Sequence, residues 1–194
     1  MPTALDDSKR VTIWNVATGK EVRRFQSQGD ARRKAAFSRS NRYLAVGEHS
    51  GDLNILEIAS GRATPCRGHN HDIAAFDFSP DERLLATAGT DGVVKVWVVA
   101  TGRELARFPM ETGGFWSIAF SPDSHRLVAG TTEGVVKFWD MDNLHEVAAR
   151  KAHTGMVWSV GFIDDDTLVS LSRDSLRIWR APKLAEIEAA RRSK

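Results

Sequence analysis

Ile73-Ala74-Ala75-Phe76-Asp77-Phe78, Ser79-Pro80-Asp81, Leu84-Leu85-Ala86-Thr87, Asp91-Gly92 and Val93-Val94-Lys95-Val96-Trp97 follow one another in a single short stretch. The apolar pieces are short and rich in β-branched or aromatic residues, and Ser-Pro-Asp and Asp-Gly turns separate them. This punctuation predicts three antiparallel strands joined by tight turns. Thr101-Gly102 then turns the chain again, and Glu104-Leu105 opens a fourth run.

Working outward, the pattern repeats. Phe37, Phe78, Phe120 and Phe162 are separated by 41, 42 and 42 residues. Trp14, Trp97, Trp139 and Trp179 are separated by 83, 42 and 40, and the first gap is a double step if Leu56 fills a missing Trp position. Two aromatic series sharing one period identify an internal repeat. Phe115–Phe120 and Val157–Phe162 repeat the first run, and Leu127-Val128-Ala129 and Leu168-Val169-Ser170 repeat the second. Ser121-Pro122-Asp123 and Asp164-Asp165-Asp166 occupy the first turn, and Ser50-Gly51 and Glu133-Gly134 the second. Glu21, Glu104, Glu146 and Glu186 each fall seven residues after a repeat Trp. A small sheet with two apolar faces is not stable alone and stacks on its own copies, and radial stacking gives a propeller.

Composition narrows the function classes. The chain has 194 residues, 42% hydrophobic and 27% charged, enough apolar surface for a core. A net charge of +2 leaves no global nucleic-acid or membrane footprint. Arg23, Arg24, Arg32, Arg33 and Lys34 are read as a solvated surface, with nucleic-acid binding through Arg32–Lys34 as an alternative. The single cysteine, Cys66, excludes an internal disulfide framework and suits a reducing compartment, so a cytoplasmic location is expected. No apolar run reaches the length of a membrane span, and the first ten residues lack the apolar stretch of a signal peptide.

The succession Gly68-His69, Ser79-Pro80-Asp81, Asp91-Gly92 and Trp97, echoed by His153, Asp174 and Trp179, resembles the WD40 repeat β-propeller family, in its bacterial type. The resemblance implies an all-β propeller segment of about four and a half four-stranded antiparallel blades. A partial blade occupies 1–26, with blades at about 27–66, 67–108, 109–150 and 151–180 and a tail at 181–194. It also implies a buried His–Asp–Ser/Thr–Trp hydrogen-bond chain in each well-formed blade. The matching residues are His69, Asp91, Thr87 and Trp97 in one blade, and His153, Asp174, Ser170 and Trp179 in the last. Glu111, Glu133 and Ala129 stand in those positions before Trp139, and Gln28, Ser50 and Val46 before Leu56, so these two blades are expected to rely on packing.

A hydrolase reading of His153, Ser170 and Asp174 fails because the trio recurs in register with His69, Thr87 and Asp91 and no G-x-S-x-G turn is present. His69, His71 and Cys66 do not make a convergent metal set, Gly19-Lys20 lacks the rest of a phosphate loop, and Asp164–Asp166 reads as a solvated turn. No cofactor, metal or catalytic residue is expected. In the family, three positions per blade open on the top rim beside the channel and contact partners. One is held by Arg33, Ala74, Trp116 and Trp158; a second by Ala31, Asp72, Gly114 and Met156; a third by His49, Thr90, Thr132 and Arg173. Two tryptophans with Met156, Arg33 and Arg173 on one rim have the composition of a binding hot spot, the alternative being that the tryptophans plug the channel.

The resemblance therefore implies a non-enzymatic protein-interaction scaffold, a regulatory or signalling module of a larger protein, with an enzyme built on a channel-mouth pocket as the rival. The repeat count does not close. The expected explanations are the C-terminal part of a longer propeller, or a self-associating partial ring with bare apolar ends at the Arg32–Phe37 blade and at Val157–Trp179. Within the tail, Pro182 starts a helix-like pattern, while Glu186-Ile187 sits in register with the fourth strands.

Overall fold

A computed structural model describes residues 10–26, 34–48 and 50–180. Their regular structure is entirely β, in seventeen strands. The first two, β1 (Arg10–Asn15) and β2 (Lys20–Gln26), form a hairpin. Blade 2 follows as β3 (Lys34–Phe37), β4 (Tyr43–Gly47), β5 (Leu53–Glu57) and β6 (Ala63–Cys66). Blade 3 comprises β7 (Ile73–Phe78), β8 (Leu84–Gly89), β9 (Val93–Val98) and β10 (Glu104–Pro109). Blade 4 comprises β11 (Phe115–Phe120), β12 (Arg126–Thr131), β13 (Val135–Asp140) and β14 (His145–Lys151). Blade 5 contributes β15 (Val157–Asp164), β16 (Thr167–Ser172) and β17 (Leu176–Arg180). Within every sheet consecutive strands pair antiparallel in chain order. The expected fourth strand or helix of the tail lies outside the described residues.

Sequence alternation dictates the stacking. Successive residues of a strand point to opposite faces, so each blade has one face carrying the repeat Trp and one carrying its neighbours. Leu53 and Ile55 of blade 2 pack against Leu85 and Trp97 of blade 3. Val94 and Val96 of blade 3 pack against Leu127 and Trp139 of blade 4. Val128 and Val136 of blade 4 pack against Leu168 and Trp179 of blade 5. The core is thus a series of equivalent layers between sheets. Consecutive blades also touch through their first strands, β3 on β7, β7 on β11 and β11 on β15, which places those strands innermost.

One expectation about the ends needs correcting. Blade 2 was expected to present a bare face, but the β1–β2 hairpin covers it: Val11, Ile13 and Phe25 pack on Leu44, Val46 and Leu56. Arg23 extends the seam by donating to the carbonyls of Ile58 and Ala59 at 3.1 and 2.6 Å. Among the described residues, the outermost surface at this end is the hairpin's outer face.

Tight-turn glycines join blades directly. At Gly51 (φ +85°) and Gly134 (φ +81°) an added Cβ would lie 2.4 and 2.2 Å from the carbonyl oxygens of His69 and His153 in the following blade. Only glycine supplies both the left-handed turn and that approach. The Gly134 carbonyl then accepts the N–H groups of Ala152 and His153 at 2.8 and 3.0 Å.

Candidate functional site

The rim is built on irregularities of the innermost strands. In β7 the pairing register shifts between Ile73 and Ala75, in β11 between Phe115 and Ser117, and in β15 between Val157 and Ser159. Ala74, Trp116 and Trp158 are the extra residues at these bulges. A bulge re-aims the side chain it carries, so Phe115 and Val157 enter the core while Trp116 and Trp158 remain 38% and 46% exposed. The Ser117 hydroxyl donates to the Val157 carbonyl at 3.1 Å, which fixes the two Trp-bearing strands side by side. The Lys34 ammonium sits over the Trp116 ring, 5.3 Å from its centroid, and donates to the Ala74 carbonyl.

The other rim positions meet in pairs. Thr90 donates its N–H and hydroxyl to the Asp72 carbonyl at 2.9 and 3.2 Å. Thr132 donates its N–H to the Gly114 carbonyl at 2.9 Å and accepts the Gly114 N–H at 3.1 Å. Met156 is half-buried, and Thr90 and Arg173 are exposed. Arg33, Ala31 and His49 lie outside the described residues, as do Arg32 and Gln28.

Beneath the rim of blade 3, His69 Nδ1 lies 3.0 and 3.1 Å from the Asp91 carboxylate oxygens, and Nε2 lies 2.7 Å from the Thr87 hydroxyl. The Trp97 indole donates to the same hydroxyl at 3.0 Å. Burial pushes the His69 pKa down, so the ring is neutral near pH 7, with Nδ1–H donating to Asp91 and Nε2 accepting from Thr87. Burial works against the Asp91 charge, but the Asn70 N–H and the His69 ring hold its carboxyl below the usual range.

Blade 5 departs from that arrangement. His153 Nε2 lies 2.8 Å from the Ser170 hydroxyl, to which the Trp179 indole donates at 2.9 Å. His153 Nδ1, however, takes the Ser175 hydroxyl at 2.9 Å, while Asp174 stands 3.4 Å away. The Thr154 hydroxyl and N–H hold Asp174 instead, at 2.9 and 3.3 Å, and keep its carboxyl well below the usual range. The Asp91 side chain is 5% exposed and the Asp174 side chain 36%. The cause is turn length: Thr87 and Trp97 are ten residues apart, Ser170 and Trp179 nine. The shorter turn sets Ser175 under the ring and leaves Asp174 outside. That one-residue difference was the signal available in the sequence.

In blade 4 the Trp139 indole nitrogen is buried without a hydrogen-bond partner, because Ala129 supplies no hydroxyl. The ring packs instead between Phe108 and Phe115, with centroids 5.2 and 5.9 Å away. The repeated Glu finds a role the sequence reading missed. Buried Lys95 donates to Glu104 at 2.8 Å, and Lys137 to Glu146 at 2.9 Å. Asp165 accepts the Asp123 N–H at 2.9 Å, joining the turns of adjacent blades. Cys66 is packed between blades 2 and 3, and burial pushes its thiol pKa up to about 12, which makes it a packing residue rather than a reactive one.

Stacked antiparallel sheets, innermost first strands and bulge-mounted tryptophans define a propeller-type scaffold. The comparisons agree. Residues 62–98 and 102–140 match the family described as "WD domain, G-beta repeat", which supports a WD40-repeat family for this part of the chain. It is 27% identical over 100 residues to apoptotic protease-activating factor 1 of Danio rerio, covering 51% of this chain and 8% of that protein. It is 32% identical over 93 residues to WD repeat-containing protein SL1-17 of Schistosoma mansoni, covering 48% of this chain and 31% of that one. The matches thus span less than a third of these relatives. The crystal structure of the computationally designed Ika8 protein superposes with a TM-score of 0.79 and 25% identity, covering 90% of this chain and 53% of that one. WD40 repeats indicate a protein-interaction scaffold, a class generally without enzymatic activity.

Proposed function

We propose that this chain is a non-enzymatic module that captures protein partners on the rim carried by Trp116 and Trp158, as a regulatory or signalling part of a larger assembly in the cytoplasm. One observation carries the reading: two large aromatics stand exposed on bulges of adjacent innermost strands, each directly after a residue buried in the core, Phe115 and Val157. Exposed tryptophans on a rigid frame are the commonest anchors of protein interfaces, because little conformational entropy is lost when they are covered. Thr90, Thr132, Asp72 and Arg173 would supply the polar surround and Met156 further apolar contact, and the mechanism is rigid presentation without bond chemistry.

The test compares lysate proteins captured by the wild type with those captured by Trp116→Ala/Trp158→Ala, quantified together with the melting temperature of each. The double variant should lose specific partners, at about 2 kcal/mol or more for a hot spot, while its melting temperature stays close to that of the wild type. Identical captured sets would overturn the rim assignment, and a large drop in melting temperature would make the tryptophans part of the core.

A further inference from the structure

Lys34 shows what a rim tryptophan can hold. Its ammonium reaches out from blade 2, donates to the Ala74 carbonyl of blade 3 and sits over the Trp116 ring of blade 4, 5.3 Å from the centroid. Three consecutive blades thus build one ammonium site: a lysine from the first, a bulge carbonyl from the second and an indole face from the third. The carbonyl takes one N–H of the ammonium, and the electron-rich face of the ring attracts its charge.

One blade further on, the repeat supplies two of these parts again. Trp116 is the bulge residue of β11 as Ala74 is of β7, and Trp158 is the bulge residue of β15 as Trp116 is of β11. The backbone around the first two bulges agrees: Thr132 donates its N–H to the Gly114 carbonyl as Thr90 does to the Asp72 carbonyl, both at 2.9 Å. The lysine is the part that does not recur. Lys34 pairs with Gly47 where Ala75 pairs with Ala88, each three residues before the terminal Phe of its strand. The Ala75 side chain ends at Cβ and carries no charge to the rim. Among the described residues no cation lies over the Trp158 ring, which is 46% exposed. We propose that the Trp116 carbonyl and the Trp158 ring form a second ammonium site, left open by Ala75, and that it takes a lysine side chain of the protein partner. The proposal rests on the rim reading and adds the chemistry of the occupant. Its parts come from blades 3, 4 and 5, so it needs no element beyond the described residues.

The test follows the indole N–H resonances of Trp116 and Trp158 by NMR during titration of the full chain with two peptides. One is a capped Gly-Lys-Gly peptide, and the other carries norleucine in place of lysine, which keeps the four-carbon stem without the charge. The lysine peptide should shift the Trp158 resonance saturably and bind about fivefold or more tighter than the norleucine peptide. Ala75→Lys supplies the missing lysine from within and should abolish that shift. Lys34→Ala empties the first site and should make Trp116 respond to the lysine peptide as well. Lys34 is exposed, so this variant keeps the test decisive even if circular dichroism shows that Ala75→Lys disturbs the fold. Equal binding of the two peptides, no response at Trp158, or no gained response at Trp116 in Lys34→Ala overturns the proposal. Partner capture that needs Trp116 and Trp158 but is indifferent to a folded Ala75→Lys variant overturns the ammonium site alone and leaves the rim reading standing.

Discussion

Blades 3 and 5 carry a matching His, Asp, side-chain hydroxyl and Trp under the rim and use them differently. In blade 3, His69 is sandwiched between Asp91 and Thr87, and the carboxylate is enclosed. In blade 5, the turn is one residue shorter, a serine hydroxyl replaces the carboxylate at His153 Nδ1, and Asp174 is held at the surface by Thr154. Matching residue types fix the candidates for a hydrogen-bond chain, and the backbone path between them decides which bonds form. The enclosed version joins four groups largely shielded from water, while the open one leaves its charged member more solvated. Their energetic weights should therefore differ.

The largest expected effect is in blade 3. His69→Ala takes the ring N–H from the Asp91 carboxylate and the acceptor from the Thr87 hydroxyl, and should cost about 2–3 kcal/mol. His153→Ala removes the hydrogen bonds to the Ser170 and Ser175 hydroxyls and should cost about 1–2 kcal/mol. Chemical denaturation of the two variants against the wild type reads the difference, and equal losses would break the comparison. Inserting a glycine after Asp174 sharpens it: the restored spacing should bring the carboxylate to His153 and move the cost of His153→Ala toward that of His69→Ala.

The repeat was legible because it rests on residue types that recur at a fixed spacing: the terminal Phe, the Ser-Pro-Asp turn and the Trp. These fix strand order and which face enters the core. The geometry of the rim was less legible. Trp116 and Trp158 are exposed because each is the extra residue of a bulge, and a strict alternation gives no sign of which residue is left unpaired. The pairing of Lys95 with Glu104 was visible only as an unexplained Glu seven residues after Trp, because its cause is a contact across β9 and β10. The covering of blade 2 by the hairpin required knowing that two strands suffice to bury Leu44, Val46 and Leu56.

A second difference between blades lies at their inner seams. Asp77 of β7 points into the seam with blade 4 and accepts the Phe120 N–H at 2.8 Å, where β11 and β15 have Ala119 and Gly161. Burial pushes the Asp77 pKa up to about 6, with the Phe120 N–H acting in the opposite direction. A carboxyl whose pKa is raised on folding favours the native state when protonated. That contribution is complete below the ordinary value near 3.8 and is lost as pH rises to about 6. Above it the seam encloses a charge at a cost of up to about 3 kcal/mol. Asp77→Asn keeps the acceptor oxygen and removes the charge. It should stabilise the chain by about 1–2 kcal/mol at pH 7.5, and by much less at pH 4. Melting curves at both pH values test this, and a pH-independent effect would mean that the carboxylate is adequately solvated in the seam.

The smallest effect concerns blade 4, which lacks the hydroxyl that blades 3 and 5 share. Trp97 and Trp179 donate to Thr87 and Ser170, while the Trp139 indole nitrogen is buried with no acceptor beside Ala129. Ala129 pairs with Lys137 as Thr87 pairs with Lys95. A serine at position 129 could therefore accept from the indole and, having no histidine acceptor beside it, donate to the Lys137 carbonyl, the counterpart of the Lys95 carbonyl 3.4 Å from the Thr87 hydroxyl. Both new groups would be satisfied, so the bond should outweigh the burial of one added oxygen. Ala129→Ser should raise stability by about 1 kcal/mol. Ala129→Val, which fills similar space without an acceptor, separates the hydrogen bond from packing. If Val stabilises as much as Ser, the unpaired indole costs nothing, and blade 4 is held by Phe108 and Phe115 alone. If Ser stabilises and Val does not, the missing hydroxyl is what sets this blade apart from its neighbours.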